Sequence, residues 1–145
     1  MVVKSYRGLL ADGGQDRIRL STNNGKTGYR IIKLQVINEL PGTTTCESVV
    51  KVYKIKQSTI DATVDFTDNN TLAATYYTDQ DNPQYTGFIG PIIFDNEIFN
   101  QDIYVTSVDT DGAVSMNYYL ELEVIPLSEL GAEYTILKDL RERGV

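Results

Sequence analysis

The 145-residue chain has no His, no Trp and a single Cys. Without His there is no Ser-His-Asp arrangement, no usual general base near pH 7 and no ordinary zinc site. One Cys excludes an intrachain disulfide framework and CxxC redox chemistry. Long apolar runs are also missing, far short of the ~20 residues that span a bilayer. The first ten residues set Lys4 and Arg7 among apolar neighbours and form no signal-peptide core, so synthesis in the cytoplasm is expected. A net charge of −7 argues against nucleic acid or an anionic membrane as the main partner.

What is present is a folded domain's composition, 41% hydrophobic and 23% charged. The length suits one domain that buries roughly two-thirds of its unfolded surface. Apolar residues alternate with polar ones in period two. Ile18 and Leu20 alternate with Arg17 and Arg19. Ile32, Leu34 and Val36 alternate with Ile31, Lys33 and Gln35. Ile60, Ala62, Val64 and Phe66 alternate with three polar neighbours. Val114, Met116, Tyr118, Leu120, Leu122 and Val124 alternate with Ser115, Asn117, Tyr119, Glu121 and Glu123. Such alternation gives each strand one core face and one wet face, as in antiparallel sheets.

Stretches 2–10, 46–56, 72–78, 88–94 and 102–108 are rich in β-branched and aromatic residues. About nine strands are therefore expected. Turn signals separate them: Asn23-Asn24-Gly25 as a tight hairpin, then Pro41-Gly42, Asp68-Asn69-Asn70, 79–83 and 109–112. Gly90-Pro91 within an apolar run signals a bulge or a sheet edge. Only the C-terminus has helical spacing, with Leu130, Tyr134, Leu137 and Leu140 in one stripe after a Ser128 cap. The expectation is an all-β, jelly-roll-like antiparallel sandwich over 1–126, with a short helix over 127–145 on or beside it.

Reactive constellations are weak. Gly25-Lys26-Thr27 lacks the upstream Gly and following helix of a phosphate loop. Asp109-Thr110-Asp111-Gly112 starts like a calcium loop but has Leu120 where an acidic residue is required. Asp79, Asp81 and Asn82 form a second oxygen-rich loop, yet Asx-rich turns are far commoner than cation sites. Cys46 has no activating base and is expected as a small buried residue. No carboxylate pair is marked as an acid and base. No cofactor, metal or catalytic residue is assigned.

Ten Tyr remain, with Tyr77 and Tyr119 expected on outer faces as anchors for a partner or sugar. Charge is segregated along the chain. Residues 1–57 hold ten Lys and Arg against four Asp and Glu, a net of +6. Residues 58–145 hold three against sixteen, a net of −13. Either the halves interleave and mix these charges, or they form complementary faces between subunits; the second is slightly favoured. On it, Lys51, Lys54 and Lys56 join Tyr77 and Tyr119 as the candidate interface.

The segments Arg7-Gly8-Leu9-Leu10-Ala11-Asp12-Gly13-Gly14-Gln15-Asp16 and Ile93-Phe94-Asp95-Asn96-Glu97-Ile98-Phe99-Asn100-Gln101-Asp102-Ile103-Tyr104 carry a resemblance. So does Asn117-Tyr118-Tyr119-Leu120-Glu121-Leu122-Glu123, with a later Lys-Asp-Leu-Arg run. Together they are similar to small β-rich proteins encoded by tailed phages of marine bacteria. The resemblance implies a non-enzymatic virion protein: capsid decoration, head–tail or tail. It implies location in the virion, homo-oligomerisation and contacts with other virion proteins. It carries over no active site. A carbohydrate-binding sandwich that meets surface glycans is the alternative, and a carboxylate-based glycan hydrolase or lyase ranks third.

Overall fold

A computed structural model describes residues 1–42, 45–79, 87–94, 96–128 and 135–137, with backbone only at 87–89. Eight strands follow in order: β1 (Val2–Leu10), β2 (Gly14–Ile18), β3 (Thr27–Asn38), β4 (Cys46–Tyr53), β5 (Thr71–Asp79), β6 (Gly87–Ile93), β7 (Ile103–Asp109) and β8 (Met116–Pro126). They form a three-stranded sheet, β1-β8-β3, and a five-stranded sheet, β2-β7-β4-β5-β6. All ladders are antiparallel. The pairs β1–β8, β2–β7 and β4–β5 are those of a long hairpin rolled into a jelly roll. The one departure is β6, which lies close to β3 but gives its ladder bonds to β5.

The core forms where alternation predicts it in β8. Met116, Tyr118, Leu120 and Leu122 are buried against Leu10, Ile18, Val50, Val52, Ile103 and Val105. Val114 lies before the strand and is only half-buried, so β8 starts two residues later than expected. In β3 a bulge inserts Ile32 between Ile31, opposite Leu122, and Lys33, opposite Glu121. The extra residue exchanges the two faces. Ile31 is therefore core and Ile32 half-buried, the reverse of the expected phase before the bulge.

The expected strand at 60–66 does not form. Asp61, Asp65 and Asp68 each accept the N–H of the residue two positions on, Thr63, Thr67 and Asn70. These local bonds offer the backbone an alternative to a ladder. The stretch instead lies over the outer face of the five-stranded sheet, which buries β4 on both faces. Asn23-Asn24-Gly25 is a turn, with Gly25 at φ 65°, but it is no hairpin because β2 and β3 belong to different sheets. Gly90-Pro91 does sit on the edge strand β6, where the register slips between Ala74 and Tyr76. Residues 135–137 are helical; the rest of the expected stripe, Leu130, Tyr134 and Leu140, lies outside the described residues. So does the second acidic loop beyond Asp79.

Candidate functional site

Among the described residues, a concavity of about 790 Å³ opens at the three-stranded sheet. Its spine is one cross-strand row: Gly8 of β1, Tyr118 of β8 and Val36 of β3. Their neighbours Arg7, Gln35, Ile37, Asn117 and Tyr119 also line it, and Tyr77 contributes from the other sheet. Gly8 is required there, because a Cβ would stand 2.7 Å from Tyr118 Cε1 and 2.9 Å from Asp16 Oδ2. That space lets the Tyr118 hydroxyl donate to Asp16 Oδ2 at 2.9 Å, which ties the two sheets together. Burial, then the Asp16 carboxylate, pushes the Tyr118 phenol far above its ordinary value, so it stays a donor.

Tyr77 was expected on an outer face. It lies instead opposite Ser48, on the side of β4 and β5 that carries Val50 and Val52, and packs on the core. Tyr76 has the outer position, in a 260 Å³ apolar groove with Val49, Val64, Phe66, Ala74 and Ile92. Burial raises the Tyr77 phenol, with Asp79 adding to the shift. Tyr119 does face outward. Its hydroxyl donates to Glu121 Oε1 at 2.7 Å, and Lys33 Nζ stands 6.0 Å from its ring centre.

The three candidate lysines separate. Lys51 and Lys54 are buried, at 3% and 1% exposure, and only Lys56 is exposed. Lys51 shares its face of β4 with Val49 and Tyr53. Its ammonium donates to the Thr63 carbonyl, pairs with Asp61 at 3.6 Å and stands 5.3 Å from the Tyr53 ring centre. The 54–70 stretch folding over β4 is the physical reason. Lys54 pairs with Glu97 at 3.2 Å and lines a small polar pocket of about 220 Å³ with Arg17, Lys56 and Asp102. Burial alone would raise Asp102. The N–H groups of Ser21 and Leu20 and the Arg17 guanidinium outweigh it and hold this carboxyl at about 2.

The segregated charge also has an intramolecular explanation. Arg17–Asp102, Arg30–Glu123, Lys51–Asp61 and Lys54–Glu97 each pair a cation from 1–57 with an acid from 58–145. Acidic β8 lies between β1 and β3, so Glu121 stands beside Ser5 and Lys33, and Glu123 beside Val3 and Arg30. The halves interleave, and the expectation of separate complementary faces is corrected.

Cys46 and Asp109 are each tied into the fold. Cys46 is fully buried; burial raises its thiol, partly offset by Asn38, whose Nδ2 lies 3.5 Å from Sγ. Asp109 accepts from the N–H groups of Glu47, Asp111, Gly112 and Val114. Those donors outweigh its desolvation and lower its pKa. They occupy the oxygens that a calcium ion would need. Among the described residues no group of three Asp, Glu or Cys is arranged to hold a metal. No described helix is long and apolar enough to cross a membrane. Compared with known proteins, the chain matches no family model and no curated protein.

Proposed function

We propose that this protein is a non-enzymatic structural component of a tailed-phage virion, made in the host cytoplasm and working by association with its own copies and with other virion proteins. The observation that carries the reading is apolar exposure on both outer faces. Leu9 and Ile37, at 50% and 49% exposure, flank Asn117 on the three-stranded sheet. Val64, Phe66 and Ile92, at 44–47%, rim the groove on the five-stranded sheet. A block with apolar patches on two sides suits a subunit with neighbours on two sides. Jelly rolls also serve as capsid and lectin domains, which supports the class by fold analogy alone. Sedimentation velocity of the purified chain over a concentration series tests the reading. A discrete oligomer or larger particle is expected. A monomer at every concentration and ionic strength, with no binding to purified virions, overturns it.

The cavity favours a second reading, a glycan-binding module. Its volume lies in the range of ligand sites, and Tyr77, Tyr118 and Tyr119 line it. Calorimetric binding of an oligosaccharide that is lost in Tyr77→Ala would transfer the assignment to this reading.

A further inference from the structure

A two-sheet sandwich has four edges, and here they are unequal. β2 has only five residues. β6 carries the Gly90-Pro91 irregularity and lies near β3. β3 is bulged at Ile32, and Tyr29 exchanges both backbone hydrogen bonds with Phe99, at 2.7 and 3.0 Å. Short strands, bulges and Pro are devices that deter pairing with another chain. β1 has none of them: nine residues, no bulge and no Pro. Among the described residues it pairs with β8 alone, and Val2 and Val3 are 63% and 41% exposed.

β1 does carry Lys4 and Arg7, both exposed, and they restrict how two copies can meet. A two-fold axis perpendicular to the sheet keeps outer faces together, so paired residues must both be odd or both be even. Centring the pair on Lys4 or on Arg7 sets like charges opposite each other, which is unfavourable. Centring on Tyr6 does not. Arg7 then faces Ser5, Lys4 faces Gly8, and the exposed apolar residues Val3 and Leu9 face each other. Every residue of β1 is used in this register, and the two three-stranded sheets join into one of six. Centring on Ser5 also avoids like charges, but it sets Val3 against Arg7.

Resting on the assembly reading above, we infer that β1 is the assembly edge and that its partner is a second copy of β1, antiparallel and centred on Tyr6. Main-chain hydrogen bonds along the edge supply the attraction, and the Val3–Leu9 contacts and the placement of cations supply the register.

Ser5 tests this, because it meets Arg7 of the other copy twice in each dimer. Ser5→Lys should weaken the dimer roughly three- to tenfold and Ser5→Glu should tighten it by a similar factor, read as dissociation constants by sedimentation velocity at low salt. Both effects should shrink at 1 M salt, where the Debye length is about 3 Å. Folding effects run the other way. Within the chain Ser5 faces Glu121, so lysine there favours the fold and glutamate disfavours it. A urea titration of each variant therefore separates the two. If the parent assembles but both variants shift the dimer in the same direction, or neither shifts it, the β1 pairing is overturned and the assembly reading stands. A parent that is monomeric throughout overturns both.

Discussion

β1 and β4 draw on the same residue types, VVKSYRGLL against CESVVKVY, and end in opposite surroundings. β1 is exposed over most of its length, and Lys4 lies in solvent. β4 is buried almost throughout, with Val50 and Val52 fully enclosed and Lys51 at 3% exposure. Two things separate them. β4 has a neighbour on each side, β5 and β7, whereas among the described residues β1 has β8 alone. The 54–70 stretch also covers the outer face of β4. Local residue type sets which strands form; the tertiary cover decides what each is worth.

The sharpest test is to place the same charge in both strands. Val50→Asp puts an unpaired carboxylate in the core and should cost at least about 4 kcal/mol, enough to unfold a domain with about 5–15 kcal/mol of stability. Val2→Asp, on the open strand, should fall within about 0.5 kcal/mol. Urea midpoints measure both. Similar losses in the two variants at concentrations below assembly would mean that β1 is covered within its own chain.

A second contrast concerns the lysines. Lys51→Ala removes the buried alkyl stem, opens a cavity and leaves the Thr63 carbonyl without its ammonium donor. The expected loss is about 2–4 kcal/mol. Lys51→Met keeps the packing and should recover part of it. A cost near zero for both, read by thermal denaturation, would show that the 54–70 cover is not closed over β4.

Much of this contrast was legible in the chain, and the misses share a cause. The strands, the sandwich, the phase of β8 and the buried state of Cys46 follow from alternation and composition. Residues 60–66 alternate equally well, yet Asp61, Asp65 and Asp68 capture nearby N–H groups. The stretch becomes a cover and not a ninth strand. The burial of Lys51 follows from that cover and that of Lys54 from its place beside Glu97 in the pocket with Arg17 and Asp102, and no local signal marks either. The face of Tyr77 cannot be read from its own strand, because it is set by the partners across the ladder. Ser48, Val50 and Val52 across the ladder place it on the inner side. The cavity row Gly8–Tyr118–Val36 is set by pairing between strands far apart in the chain. A lone Gly inside a strand, a known mark of close approach, was its one sequence signal.

Asp102 makes a smaller, pH-dependent test on the five-stranded side. Its carboxyl is held at about 2 in the fold, against about 3.9 in an unfolded chain. Between those values the unfolded state binds more protons, so stability rises with pH there. The contribution, about 2 kcal/mol, is complete above pH ~4 and is lost as pH falls toward ~2. Asp102→Asn should flatten that part of a stability–pH profile. At concentrations below assembly, β1 amides should remain the faster to exchange with deuterium across the whole range, because among the described residues β1 has β8 as its one ladder partner.

The smallest expected effect isolates burial from residue type. Lys56 lies two residues beyond Lys54 and was expected to act with Lys51 and Lys54, yet it alone is exposed. Its ammonium has solvent to hydrate it in both the folded and unfolded states, so folding changes its surroundings little. Lys56→Ala should therefore stay within about 0.5 kcal/mol, while Lys51→Ala costs several times more for the same chemical deletion. Charge steering through this region is expected to be small, because Arg17, Arg30, Lys51 and Lys54 are already paired with acids inside one subunit. Lys56→Ala should consequently leave the association rate nearly unchanged from low to high salt by stopped-flow light scattering. A rate that drops at low salt and recovers at high salt would restore a steering role to this lysine. The lysines would then divide into Lys51, which holds the cover on β4, Lys54, which pairs with Glu97, and Lys56, which guides assembly.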